Sequence, residues 1–362
     1  MSWPSCSIVI PSYNGRSLLE TCLASIARHR PAATALEVIV ADDASTDGTP
    51  GWLASAHPDV RLVRLGRNAG FCGAANAGIA AARGEFLQLL NNDTEVTAGW
   101  LEAGLAPFAE AAVGSVAPLV LVRADPSRVN SAGDSYALTG WAFNRGSNQP
   151  AAAWAAAPPG DVFGASASSA FYRAAALRAV GAFDPSYGSY YEDVDLAFRL
   201  RWAGYRCAFA PRCRILHDVS ASFDHGLPAL QRRIARNAEI LFWTNLPTPW
   251  LLVALLPHLG YTLAQGLWRG ARGRGGPFLR GKLDALRELP TLRARRSLRA
   301  DLARSAPRPP HFPFEFLALG DLRHHLRRRP IRTGAARGDV PRPRTPDDAA
   351  RPCRAACDGR PG

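Results

Sequence analysis

At 362 residues, 47% of them apolar, the chain is long enough for one large domain or two smaller ones built around a true core. Its formal charge of +13 is unevenly spread: residues 1–245 hold 20 Arg, no Lys and 21 acids, so a basic appendage follows a near-neutral body. Seven Cys, an odd number with no Cys-x-x-Cys pair, argue against a zinc module or a disulfide framework and fit a reducing compartment.

Met1-Ser2-Trp3-Pro4 has no basic leader and Ser7–Pro11 reads as a strand, so no signal peptide is expected. Cys6–Ile10 is a short apolar run closed by Pro11, a buried strand. Leu18, Leu19, Cys22, Leu23 and Ile26 then recur at helical spacing. Further strands are expected over 36–41, 60–65 and 85–90, with an Ala-rich helix over 71–83. Strand–helix alternation with short connections predicts a doubly wound, mostly parallel α/β sheet with flanking helices. Ligands bind beyond the carboxyl ends of such strands. Tyr13 and Asn14, Asp42 and Asp43, and Asn91–Asp93 all fall there.

Residues 124–160 read as an irregular surface excursion rich in Gly, Ala and Pro. Helices are expected over 173–180 and 193–203, and short strands over 205–209 and 212–216, the second ending on His217. From Arg232 the character changes. Trp250–Leu267 is apolar but broken by Pro257 and His258, and Arg269, Arg272, Arg274, Arg280 and Lys282 follow. Two readings stay open: helices lying in an anionic bilayer surface, or an amphipathic helix packed on the body. From about Arg304 the composition turns Pro/Arg-rich, which reads as a disordered tail. The division expected is 1–235 catalytic, 236–303 membrane-associating and 304–362 tail.

Four motifs carry chemistry. Asp42-Asp43 closes a strand, where a carboxylate can accept the imide N–H of uracil or thymine, although capping explains such acids equally well. Gly70, after Arg67-Asn68, opens a helix whose N–H groups can face a diphosphate or merely allow close packing. Asn91-Asn92-Asp93 is a degenerate Asp-x-Asp; one carboxylate plus substrate phosphates can hold a hard divalent cation, while the same residues also form ordinary turns. Glu192-Asp193 precedes a helix, where acids either cap it or act as a general base. No Gly-x-Gly-x-x-Gly follows the first strand, so a dinucleotide-dependent dehydrogenase is set aside. The Arg-rich tail lacks interleaved aromatics, so no nucleic-acid partner is expected.

Six segments occur in order: IPSYNG (10–15), VIVADDASTDGT (38–49), RNAGFCGAAN (67–76), FLQLLNNDTEV (86–96), GAFDPSYGSYYEDVDLAFRLRWAGY (181–205) and ILH (215–217). Together they resemble the family 2 glycosyltransferases, inverting enzymes of the GT-A fold, and most of all their rhamnosyltransferase-like branch. That resemblance implies transfer of rhamnose or a similar sugar from a dTDP- or UDP-sugar to a glycan or lipid-linked glycan in bacterial cell-surface polysaccharide synthesis. It implies a cytoplasmic enzyme, peripheral on the inner face of the membrane. By position, Pro11, Tyr13 and Asn14 would line the nucleotide pocket, with Asp42 and then Asp43 on the pyrimidine. Arg67, Asn68, Gly70 and Asn76 would lie near ribose and diphosphate, with Asn91 and Asn92 beside them. Asp93, joined by His217, would bind Mg²⁺ or Mn²⁺, and Asp193 would be the base, with Glu192 as alternative. The usual first acid of Asp-x-Asp is Asn91 here. The rival expectation is a catalytically inactive nucleotide-sugar-binding scaffold at the membrane.

Overall fold

The computed structural model describes residues 5–31, 35–218 and 227–315. Its first half alternates as the sequence predicts: β1 (Cys6–Ser12), α1 (Arg16–His29), β2 (Leu36–Asp42), α2 (Thr49–Ala56), β3 (Arg61–Arg64), α3 (Gly70–Ala81) and β4 (Phe86–Leu89). β1 pairs in parallel with β2 and β4, and β2 with β3. Every residue of β1 is buried, as a central strand covered on both faces requires. α1 turns Leu19, Cys22, Leu23 and Ile26 inward. α3 sits close on the opposite face, because a Cβ on Gly78 would come within 2.4 Å of Val9.

The chain continues through β5 (Thr94–Val96), α4 (Trp100–Leu105), β6 (Val113–Val122), β7 (Asp125–Ser131), β8 (Asp134–Tyr136), β9 (Ala142–Asn144), α5 (Ala151–Ala155) and β10 (Gly160–Val162). There follow β11 (Phe171–Arg173), α6 (Ala174–Val180), α7 (Glu192–Trp202) and β12 (Arg206–His217). The main sheet runs β10-β12-β6-β11-β4-β1-β2-β3. β6 and β12 are parallel, and β11 is wedged antiparallel between β4 and β6. The two short strands expected over 205–216 are one strand whose register slips between Ala210 and Arg214.

The 124–160 segment is only in part a surface excursion: 124–128 and 147–160 are exposed or half-buried, but its middle is not. Ser131 through Gly140 is buried, and Tyr136 stacks on Phe163 with ring centroids 5.5 Å apart. Its Gly-rich composition reflects tight turns and close approach rather than exposure.

Four helices end the described chain: α8 (Pro228–Asn245), α9 (Thr248–Gly270), α10 (Gly275–Arg287) and α11 (Leu289–Ser305). They are packed onto the body rather than appended to it. A third core joins Tyr136 and Phe163 to Val194 and Phe198 of α7, Ile240–Phe242 of α8 and Ala254 of α9. The start of the Pro/Arg-rich segment is ordered too. Phe312 and Phe314 pack against this core, and Arg201 donates to the His311 carbonyl at 2.8 Å. Aromatic side chains supply the apolar area that proline and arginine do not. The rest of the predicted tail, 316–362, lies outside the described residues.

Candidate active site

Three strand ends meet at one edge. Ser12 pairs with Asp42, the Asp43 N–H donates to the Ser12 carbonyl, and Asn92 Nδ2 donates to Ser12 Oγ at 3.1 Å. Gly15 is needed here, since a Cβ would lie 2.4 Å from Asn92 Nδ2. Pro11, Tyr13, Asn14, Asp42 and Asn91–Asp93 therefore cluster where the sequence reading expects them.

Asp42 is fully buried. Its Oδ2 accepts from Ser45 N at 3.1 Å, while Oδ1 is buried with no partner. A desolvated carboxylate oxygen without a donor is costly unless a ligand supplies one. Its neighbours are otherwise engaged. Asp43 accepts from Ala69 N (2.7 Å) and Gly70 N (2.9 Å), so it caps α3 and occupies the N–H groups that the sequence offers to a diphosphate. Burial raises the Asp43 carboxyl above its usual range despite those bonds. Asn14, with a left-handed φ of 47°, accepts from Thr46 N through Oδ1 and braces the 44–46 turn. Asn76 spends its whole amide on the backbone of Phe183, at 2.8 and 2.9 Å. Arg67 and Asn68 are exposed beside the start of α3.

Asp93 and His217 are brought together by strand register. His217 ends β12 opposite Thr94 of β5, and the Asp218 N–H donates to the Asp93 carbonyl. Asp93 Oδ1 lies 3.3 Å from His217 Nε2 but is left without a hydrogen bond. On the other side of the ring, His217 Nδ1 sits 3.0 Å from Asn130 Oδ1. With Nδ1 donating to that amide oxygen, the Nε2 lone pair faces the carboxylate. Two acceptors aimed at one space fit a cation, and an outer partner fixing the imidazole is the usual support of a His ligand. Among the described residues no group of three His, Cys, Asp or Glu side chains forms a metal cage, so substrate oxygens or water would complete the coordination.

Glu192 and Asp193 open α7 after two consecutive left-handed residues, Tyr190 (φ 69°) and Tyr191 (φ 71°). That turn is clamped from α8. The buried Asn237 Nδ2 reaches the carbonyls of Tyr187, Ser189 and Tyr190 at 2.9, 3.2 and 2.8 Å. Asp193 is partly exposed and accepts from Ala167 N at 3.1 Å and Val194 N at 2.9 Å. The Ser168 carbonyl next along accepts from Asn91 N at 2.8 Å. Ala167 and Ser168 thus join the Asp193 box to the Asn91–Asp93 box. Burial pushes the Asp193 carboxyl up. It pushes Glu192 further, with the Asp193 charge adding to it. Asp195 behaves oppositely. Burial would raise it, yet Arg199 and Arg299, with Asn245, hold it at about 2.

Sequence reading missed three contributors. Asp134 is buried, its Oδ2 has no partner, and burial together with Asp193 raises its carboxyl. Asn130 orients His217, and Asn237 holds the turn before Asp193. Asp134 and Asn130 lie in the segment read as surface, and Asn237 in a stretch to which the sequence reading assigns no element. A polar residue within an apolar stripe is the signal that marks Asn237.

The profile described as "Glycosyl transferase family 2" matches residues 7–181. An N-acetylglucosaminyl-diphospho-decaprenol L-rhamnosyltransferase of Mycobacterium tuberculosis is 29% identical over 309 residues, covering 76% of this chain and 98% of the relative. A mannosyltransferase from Pyrobaculum calidifontis, solved with GDP-mannose and Mn²⁺, shares the fold with a TM-score of 0.50 and 23% identity, over 83% of this chain and 86% of its own. GalNAc-T7, solved with UDP, GalNAc and Mn²⁺, shares it with a TM-score of 0.54 and 17% identity, over 66% and 48%. The ordered motifs, the sheet and these likenesses agree: residues 7–181 match glycosyl transferase family 2, and the chain has the GT-A fold and resembles the rhamnosyltransferases.

Proposed function

We propose that the chain transfers L-rhamnose, or a closely similar sugar, from a dTDP- or UDP-linked donor to a hydroxyl of a lipid-diphosphate-linked glycan, with inversion. In this reading it works at the inner face of the cell membrane, with residues 1–235 carrying the transfer and 236–303 the membrane association. Coverage of 98% of a relative named for rhamnosyl transfer to a decaprenyl-diphosphate sugar supports the sugar and acceptor class. The observation that carries the reaction is the joining of Asp193 to the Asp93–His217 pair through Ala167 and Ser168.

Asp42 Oδ1, buried and unpaired, accepts the pyrimidine imide N–H. Asp93 and His217 would hold Mg²⁺ or Mn²⁺, which when bound would offset the charge growing on the leaving diphosphate. Asp193 takes the acceptor hydroxyl proton as that oxygen attacks the anomeric carbon, opposite the breaking bond to the diphosphate. The Asp193 oxygens accept from Ala167 N and Val194 N, and two carboxylate oxygens with two lone pairs each keep room for that proton. Burial makes this carboxylate a better base than a free one. Asp43 and Asn76 act through the scaffold: Asp43 fixes α3, and Asn76 fixes the 183 backbone that leads into the Tyr190 turn.

The test is calorimetry on the full-length chain with dTDP, UDP and GDP, with and without Mn²⁺, beside D93A, followed by transfer assays with D193N. Metal-dependent binding of a pyrimidine diphosphate, lost in D93A, and loss of transfer in D193N are expected. No nucleotide binding under any condition, or full transfer by D193N, would refute the reading.

A further inference from the structure

α9 is 23 residues long, about 34 Å at helical rise, and by length and composition alone it qualifies as a membrane span. Its packing decides otherwise. Ala254 and His258 are buried on one side, while Leu252, Leu256, Leu259, Leu263 and Leu267 are 52–78% exposed on the other. Those five recur every three or four residues and form one stripe. α10 presents a second stripe, Leu279, Leu283 and Leu286, at 56–60% exposure.

His258 lies near the midpoint of α9. Its Nδ1 is 2.9 Å from the Thr139 carbonyl and its Nε2 is 3.1 Å from Glu239 of α8, while its ring stacks on Phe242 at 3.7 Å. Lys282 of α10 pairs with the same Glu239 carboxylate. Gly140 permits the approach, because a Cβ there would fall 2.6 Å from His258 Nδ1. A spanning α9 would carry this ion pair, and the 139–140 turn of the catalytic body, to the middle of the hydrocarbon. Charge and irregular backbone at that depth are costly.

Resting on the membrane reading above, we infer that α9 and α10 form an in-plane platform whose leucine stripes enter the headgroup boundary of an anionic bilayer. Charge complementarity selects that occupant. Residues 248–287 hold six basic side chains and one acid, and Trp250 and Trp268 are exposed at the ends of the α9 stripe. Arg272 lies 4.2 Å over the Trp268 ring, an arrangement suited to headgroup depth. The segment 316–362 is a poor alternative cover, since it carries 11 Arg against five Asp and meets a surface of its own sign.

The test is sedimentation of the full-length chain with phosphatidylcholine vesicles, with and without 30 mol% phosphatidylglycerol, beside the double variant Leu256→Glu/Leu263→Glu. The platform predicts binding to anionic vesicles and release by carbonate at pH 11. It also predicts about tenfold or greater loss of partitioning in the variant, since both substitutions put charge on the exposed stripe that would enter the bilayer. Dimerisation through α9 seen by light scattering, retention after carbonate, or wild-type binding by the variant would overturn it; the last result would assign the binding to the basic tail. Calorimetric nucleotide binding of the variant is expected to match wild type, so this outcome is independent of the transferase reading.

Discussion

Replacing Asn237 by Leu keeps the branched four-atom side-chain skeleton and deletes the clamp on the turn before Asp193. Two Nδ2 hydrogens serve three carbonyls within 2.8–3.2 Å, so at least two buried acceptors lose a donor. Each buried acceptor left unpaired costs about 1–3 kcal/mol. The turn they restrain holds Tyr190 and Tyr191 in left-handed backbone, which costs about 1–2 kcal/mol per residue. Clamp and strain are therefore of similar size, and without the clamp the turn relaxes and Asp193 shifts. A loss of about 3 kcal/mol in the transition state corresponds to about a hundredfold in kcat. Steady-state kinetics at saturating donor should show that fall with donor KM nearly unchanged, because Asp42 ends β2 and Asp93 lies in the turn between β4 and β5, both apart from this clamp. Urea unfolding reports the stability cost separately. In the same background Tyr190→Asn, which tolerates a left-handed φ, should restore part of kcat. A folded N237L variant with wild-type kcat would refute the clamp.

Asp42→Asn should weaken pyrimidine nucleotide binding by about ten- to a hundredfold, the worth of a hydrogen bond to a charged group, and leave the melting temperature nearly unchanged; calorimetry checks it, and unchanged affinity would remove Asp42 from the base contact. The kcat/KM profile should rise with pH through an acidic limb above the usual carboxylate range, since burial raises Asp193 and the base must be ionised. A limb at the ordinary aspartate value would contradict that. Asp195 carries the opposite sign. Held at about 2 rather than its usual 3.8, it contributes about 2 kcal/mol that is fully present above about pH 4 and lost as pH falls towards 2. Asp195→Asn should remove that pH dependence from denaturant unfolding. It should also cost about 3–5 kcal/mol at neutral pH, because Arg199 and Arg299 are left facing a neutral group.

The parallel half of the fold was legible because Cys6–Ile10, Leu36–Ala41 and Glu85–Leu90 are apolar runs with helical periods between them. Asp42 and Asp93 could be found for the same reason, as each directly follows a readable strand. The antiparallel half was not. β11 is three residues long, and its position between β4 and β6 depends on long-range pairing that no local pattern encodes. Asp134 and Asn130 were hidden because Gly and Ala look like loop composition while here they permit burial. The gathering of His217 and Asp93 depends on the β5–β12 register, 121 residues apart at Leu216 and Glu95, which short-range spacing does not report. α9 was ambiguous by composition, and His258 decides its placement only once Glu239 and Thr139 are seen beside it.

Arg299 closes the charge balance of Asp195 from 104 residues downstream. On the proposed function, this ties catalysis to the order of synthesis. The main sheet can be complete when β12 leaves the ribosome, yet the helix bearing Asp193 still holds a buried carboxylate, Asp195, short of one of its two arginines. It matures only after α11 has followed. In the reading proposed above, a nascent chain can therefore bind donor before it can use it.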